Sequence, residues 1–411
     1  MGKSSPQQPA RTRLGDALSR RLWFLEGEGL CEAAQRRTGL KDFGVPPLEP
    51  ALSVLTESLE KEADLHPLGR FLLRTHLRGL LETRLKLVAA WRKTSEAMDA
   101  ARIEKPVFIT GMPRSGSTFL HELLAEDPGN RAPRIWEVMF PVPAREPEGR
   151  GDPRIRRAAA CLWWFRRLAP GADGVFPMRA CSPHECVAIH SYTMLSEEFI
   201  SSCRIPSYER FLRAADLRPA YFWERRFLQH LQHRDCGRRW ILKSPDHVYG
   251  LEALFDVFPD AMIIQTHRNP LEVVKSSSQL TEVLQGLYAR RSDRDQVGAR
   301  EARVIAEGME RFIQFRDLHP ELAGRFIDVK YSEVVSDPLA VVERIYRHLD
   351  ARLPEAAVER MRCLITKRTR YQRHHPNPTL ADLGVEAPVE ARRFQNYCTR
   401  FGVGCQQAEP G

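Results

Sequence analysis

From Leu18 to about Met98 apolar residues return every three or four positions, as at Leu52, Leu55 and Leu59 and again at Leu68, Leu72 and Leu73. That spacing puts them along one face of successive α-helices. The period then changes. Pro106-Val107-Phe108-Ile109-Thr110 is a short β-rich run closed by Gly111 and Pro113, and Ser115 to Ala125 reads as a helix. Similar runs follow at Trp240 to Leu242, Ala261 to Gln265 and Arg325 to Val329. Helical segments at Tyr249 to Val257, Leu271 to Leu284 and Leu339 to Leu349 come after them. Continuous apolar strands alternating with helices predict an α/β fold: a parallel sheet with a phosphate-binding loop, covered by helices on both faces. Residues 1–100 are then an N-terminal helical extension, a cover or lid, and 101–405 the α/β region. The stretch Arg134 to Gln232, rich in arginine and tryptophan, carries further helices. Pro141 to Asp152 and Arg370 to Pro378 read as loops, and Met1 to Arg13 as a frayed end.

Composition narrows the class. With 43% hydrophobic and 28% charged residues over 411 positions, the chain has the balance of a globular protein, so wholesale disorder is excluded. Lys and Arg total 62 against 53 for Asp and Glu, a net charge of +9 that favours anionic partners without choosing among them. The nine cysteines are scattered with no CxxC, which predicts reduced, mostly buried thiols in a cytoplasmic protein. Neither a secretory leader nor a run of about 18 apolar residues is present, so no transmembrane segment is expected.

The chemistry concentrates after the first strand. Gly111-Met112-Pro113-Arg114-Ser115-Gly116-Ser117-Thr118 joins that strand to its helix. Amide N–H groups and the positive end of a helix dipole hold an anion in such a place. Nucleotide hydrolases carry a lysine where Ser117 stands, and Arg114 is the only cation within this loop. The loop therefore suits a different anionic donor, without a metal. A phosphotransferase with a displaced lysine is one alternative. A non-catalytic anion- or nucleic-acid-binding protein is another, although no nucleic-acid reader motif is present.

With its Pro-Arg-Ser-Gly-Ser-Thr sequence, the loop resembles the 5′-phosphosulfate loop of sulfotransferases that use 3′-phosphoadenosine 5′-phosphosulfate. The resemblance runs from about Lys105 to Val403, and the helical N-terminus is similar to that of bacterial-type members. It implies that Arg114, Ser115, Gly116, Ser117 and Thr118 hold the phosphosulfate. Arg268, in Thr266-His267-Arg268-Asn269-Pro270, is followed eight residues later by Ser276. In the family this Arg and Ser clamp the donor's 3′-phosphate. Tyr331 resembles the residue beside the adenine, though a strand-end tyrosine also packs in cores. The basic run Arg370 to His375 stands where the family places a 3′-phosphate loop, with Arg373 as candidate contact. It lacks the family's glycine and is equally a solvated run.

For sulfuryl transfer the resemblance makes Lys243, after the second apolar run of the α/β region, the cation at the leaving-group oxygen. Two bases compete. Glu137 lies 23 residues after Arg114, about where relatives carry a catalytic glutamate. Desolvation beside Trp136 would raise its pKa. His247 follows Lys243 where other branches use a histidine. His121 is expected to bond locally. His184 and His190, six apart, are not on one helical face, so no metal site is expected there. The acceptor is a small molecule or lipid. Trp163-Trp164-Phe165 and Phe222-Trp223 either line an apolar pocket for it or belong to the core.

Overall fold

Strand β1, Val107–Gly111, is buried at all five positions. A continuous apolar run requires such shielding on both faces. The computed structural model describes residues 22–143, 151–169, 178–233, 237–369 and 378–405. The expected contact Arg373 lies outside them, as do the N-terminal end and most of the two expected loops. The other strands are β2 (Asn130–Arg131), β3 (Arg239–Lys243), β4 (Met262–His267) and β5 (Phe326–Lys330). They form one parallel sheet in the order β2-β3-β1-β4-β5. β1 lies in the middle, paired from Val107 to Met262 on one side and to Ile241 on the other. The chain changes direction across the sheet there, so the carboxyl ends of β1, β3 and β4 open into one crevice.

Among the described residues, helices α1 (Gly27–Thr38), α2 (Ala51–Glu62), α3 (Pro67–Lys93) and α4 (Ser95–Ala100) precede the sheet. Helix α5 (Ser117–Leu124) follows β1. Between β2 and β3 come α6 (Ile135–Met139), α7 (Pro153–Leu168), α8 (Val187–His190) and α9 (Glu197–Ser202). They are followed by α10 (Pro206–Ala214) and α11 (Arg218–Gln232). Beyond β3 is α12 (Leu251–Val257), and beyond β4 are α13 (Pro270–Gly286) and α14 (Arg294–Leu318). After β5 come α15 (Tyr331–Ser336), α16 (Pro338–His348), α17 (Glu355–Thr369), α18 (Ala387–Arg393) and α19 (Gln395–Phe401).

One face of the sheet, with Phe108, Leu242 and Ile263, packs on Leu254 and Phe312 of α12 and α14. The other, with Ile109, Ile241 and Ile264, packs on Leu120 and Val342 of α5 and α16. Two details depart from the expectation. β2 is a polar pair of residues whose only signature is its register with Arg239 and Trp240. β4 extends past Gln265 because His267 is buried, bonded to Tyr397 at 2.9 Å and to Asp328 at 2.8 Å.

The cysteine expectation is corrected as well. The turn at Gly402, with φ 59°, folds the chain back so that Cys398 and Cys405 form a disulfide. Among the described free cysteines, Cys186 and Cys203 are buried, whereas Cys161, Cys181 and Cys363 are exposed.

The N-terminal helices share one apolar cluster with Ile189, Tyr208, Trp223 and Phe227 of the middle segment. Arg84 of α3 crosses that junction fully buried. Its guanidinium donates to the carbonyls of Phe43 (2.8 Å), Tyr192 (2.7 Å) and Pro46, and lies 4.4 Å from the Trp223 ring. Burial pulls its pKa down to about 10. Arg84→Ala strands three carbonyls, each costing roughly 1–3 kcal/mol when unpaired. The expected loss in urea unfolding is on the order of 3 kcal/mol or more, and a loss under about 1 kcal/mol would show that the junction does not depend on this residue.

Candidate active site

The turn after β1 has a backbone that few residues tolerate. Gly111 sits at φ 123°, and a Cβ there would come within 2.4 Å of the Thr266 carbonyl oxygen. Gly116, at φ 86°, ends the turn and starts α5, and its missing Cβ leaves room for the Tyr331 ring. Between them Arg114 also adopts the left-handed conformation, at φ 60°, which a residue with a side chain takes only under external constraint. Two hydrogen bonds provide that constraint. Arg114 Nε donates to Ser276 Oγ of α13 at 3.0 Å. Arg268 Nη1 donates to the Arg114 carbonyl at 2.7 Å. The Arg268 guanidinium in turn lies 4.2 Å from the centre of the Tyr331 ring. Arg114, Gly116, Arg268, Ser276 and Tyr331, far apart in the chain, are thus brought together.

Not every expected side chain faces outward. Ser115 is fully buried, its hydroxyl bonded to Thr266 Oγ1 at 2.6 Å and to the Met112 carbonyl. This serine ties the loop to the sheet, and only its backbone remains for an anion. Ser117 and Thr118 line the cleft. Lys243 ends β3 almost wholly buried, donating to Thr118 Oγ1 at 3.1 Å and paired with Glu185. The Cys186 N–H bonds to the Lys243 carbonyl at 2.9 Å, which draws His184 and Glu185 to the strand end.

The two expected bases lie elsewhere. Glu137 caps α6: one carboxylate oxygen accepts the Arg134 N–H at 2.9 Å and the other pairs with Arg131 at 3.2 Å. It does not line the cleft. His247 is buried beneath it, in edge contact with Phe108, with Nδ1 bonded to the Tyr221 hydroxyl at 2.8 Å. Burial first, then neighbouring His190 and Lys243, pull its pKa to about 3, so it stays neutral. Each of the two groups is thus engaged within the protein's own structure. His121 is likewise internal, bonded to the Ile241 carbonyl at 3.0 Å.

The carboxylates that do face the cleft went unassigned. Asp246, three residues after Lys243, has its pKa pushed up to about 8 by burial and by the charges of Glu197 and Glu185. Ser244 donates to it at 3.0 Å. Its sequence signal was its place in Lys243-Ser244-Pro245-Asp246, one residue short of the chosen histidine.

The cleft measures about 1520 Å³. At one end it presents Gly116, Ser117, Thr118, Lys243 and Arg268. At the other it is lined by Leu80 of α3, Val138 and Phe140, and Leu162 and Phe165 of α7. Trp163 and Trp164, by contrast, are exposed, so the aromatic cluster divides between cleft and surface, while Trp223 is core and Phe222 is exposed. No group of His, Cys, Asp and Glu among the described residues is arranged to hold a metal ion.

A family model described as Sulfotransferase family matches residues 106–355. The crystal structure of sulfotransferase STF1 from Mycobacterium tuberculosis H37Rv superposes with a TM-score of 0.79 at 31% identity, covering 90% of this chain and 98% of that one. Sulfotransferase STF9 from Mycobacterium avium gives a TM-score of 0.79 at 26% identity, covering 92% and 97%. Omega-hydroxy-beta-dihydromenaquinone-9 sulfotransferase Stf3 of Mycobacterium bovis is 24% identical over 338 residues, 78% of this chain and 80% of its own length.

The capping role of Glu137 is directly checkable. Glu137→Gln is expected to lower stability by about 1 kcal/mol and to leave turnover nearly unchanged. A drop of about a hundredfold or more, the scale of a lost general base, would reinstate it as catalytic.

Proposed function

The chain belongs to the sulfotransferase family and is an enzyme of sulfuryl transfer, and from that premise we propose its donor, its acceptor class and its working residues. The donor is 3′-phosphoadenosine 5′-phosphosulfate, and the acceptor is the hydroxyl of an apolar, lipid-like molecule. The observation that carries this reading is the pair of bonds joining Arg114 to Ser276 and Arg268 to the Arg114 carbonyl. They set a loop of amide N–H groups beside a second cationic cluster within reach of one nucleotide.

The residue chemistry fits such a donor. Amides of Gly116, Ser117 and Thr118, with the dipole of α5 behind them, would hold the 5′-phosphosulfate. Arg268, Arg114 and Ser276 would take the 3′-phosphate, as guanidinium and hydroxyl donors suit a phosphate. Tyr331 would stand by the base. The donor supplies an activated sulfuryl group, and the protein positions and neutralises. Lys243, desolvated against Thr118, places its charge where the bridging oxygen accumulates negative charge, and Glu185 holds the ammonium in place beforehand. Asp246 accepts the proton of the acceptor hydroxyl as its oxygen bonds to sulfur and the sulfur–oxygen bond to the phosphate breaks. A carboxyl with a pKa near 8 is suited to that role around neutral pH.

The apolar end of the cleft supports a lipid-like acceptor, since a small polar alcohol would leave Leu80, Phe140, Leu162 and Phe165 uncovered. Stf3, whose name gives omega-hydroxy-beta-dihydromenaquinone-9 as its acceptor, is consistent with this.

Calorimetry with adenosine 3′,5′-bisphosphate tests the cradle. Arg114→Ala and Arg268→Ala, each checked for folding, are expected to weaken binding by roughly ten- to a hundredfold, as loss of a charged hydrogen bond does. If both bind like the parent, the assignment is wrong. The base is tested separately. A base must be deprotonated, so kcat/KM is expected to rise with pH and level off above about 8. Asp246→Asn should remove that limb and about a hundredfold or more of the rate, with bisphosphate binding retained. A pH profile unchanged in that variant would place the base elsewhere.

A further inference from the structure

Helix α7 separates the apolar end of the cleft from solvent, and its two faces differ. Inward, Ala158 and Leu162 are buried and Phe165 lines the cleft. Outward, Trp163, Trp164 and Leu168 are 45%, 60% and 39% exposed. Exposed Arg156, Arg157 and Arg167 share that outer face at helical spacing, and Arg156 and Arg157 reach the cleft as well. The 16-residue helix holds five arginines and no carboxylate, so its charge has one sign.

The aromatic and basic groups are already interleaved. Trp163 and Trp164 meet edge to face at 4.8 Å, and the Arg167 guanidinium lies 4.9 Å from the Trp163 ring. Arg157 covers Phe140, a cleft residue, at 4.1 Å. The exposed patch and the apolar chamber are therefore adjacent through a single side-chain layer.

We propose that α7 docks the enzyme on an anionic lipid bilayer, laying Trp163, Trp164 and Leu168 at the headgroup–acyl boundary with Arg156, Arg157 and Arg167 against lipid phosphates. Charge complementarity commits the face to this occupant. Arginines of one sign among exposed indoles match a surface that is anionic at its rim and apolar just below. With five arginines in 16 residues, the helix lies on a bilayer and does not cross it. Docked in this way, the chamber behind Phe140 and Leu162 opens toward the phase in which an apolar acceptor is dissolved. Only this consequence rests on the acceptor reading; the docking does not.

The test uses the full chain and sucrose-loaded vesicles with no acceptor added. Vesicles of phosphatidylglycerol and phosphatidylcholine are expected to sediment the enzyme, and phosphatidylcholine alone much less, with binding falling as salt rises. The double variant Trp163→Ser/Trp164→Ser should lose about tenfold or more of the partitioning, and Arg167→Glu a further share. Bisphosphate affinity and circular dichroism should stay unchanged, because none of these side chains lines the cleft. The proposal fails if the parent stays in the supernatant or if the double variant sediments equally well. It fails too if equilibrium sedimentation shows self-association that the same substitutions abolish, since a second copy then covers the face. Failure here with intact turnover of a detergent-dispersed lipid alcohol would overturn the docking alone. Vesicle binding with turnover only of small polar alcohols would overturn the acceptor reading alone.

Discussion

The left-handed backbone at Arg114 is the constraint on which the active site depends. Such a conformation is unfavourable for a residue with a side chain, so the surroundings must hold it. They do so from two other elements, Ser276 on α13 and Arg268 after β4. One strained residue therefore couples the phosphate loop to the neighbouring βα unit. The same turn requires glycine on either side, at Gly111 against the Thr266 carbonyl and at Gly116 against Tyr331. The geometry of this turn is thus fixed by contacts within the chain itself.

The acceptor end follows a different logic. It is built from α3, α6 and α7, elements outside the sheet, whose apolar side chains Leu80, Val138, Leu162 and Phe165 stand among polar ones such as His76, Glu82 and Arg154. Buried Arg84 ties α3 to the middle segment through the Tyr192 carbonyl and the Trp223 ring, and to the stretch before α2 through the carbonyls of Phe43 and Pro46, within one shared apolar cluster. Beside the glycine loop Lys243, bonded to Thr118, lines the cleft with Glu185 and Asp246. Burial first, then the crowding of carboxylates, raises the Asp246 pKa, while Lys243 is paired with Glu185. One strand end thus carries both a buried, paired cation and a carboxyl of raised pKa.

Much of this was legible in the sequence. Uninterrupted apolar runs such as Val107 to Ile109 can be accommodated only in strands covered on both faces, so the parallel sheet followed from pattern alone. The glycine loop and the Arg268–Ser276 spacing marked two groups of anion-binding type, and the structure brings them together through Arg114. β2 was not legible, because two polar residues carry no periodicity and only pairing with β3 makes them a strand.

The surroundings of the candidate bases were also out of reach. Glu137, His247 and Asp246 are each a plausible proton acceptor next to a marked motif. What separates them is where the side chain ends: Glu137 in a helix cap, His247 against Tyr221 and Phe108, Asp246 in the cleft. Likewise Trp163 and Phe165 stand two positions apart on α7, one in solvent and one lining the cleft. Local spacing determines which residues can form a strand, a turn or an anion-binding loop, because those depend on near neighbours. Burial, partner and direction depend on elements distant in the chain, and only the tertiary structure decides them.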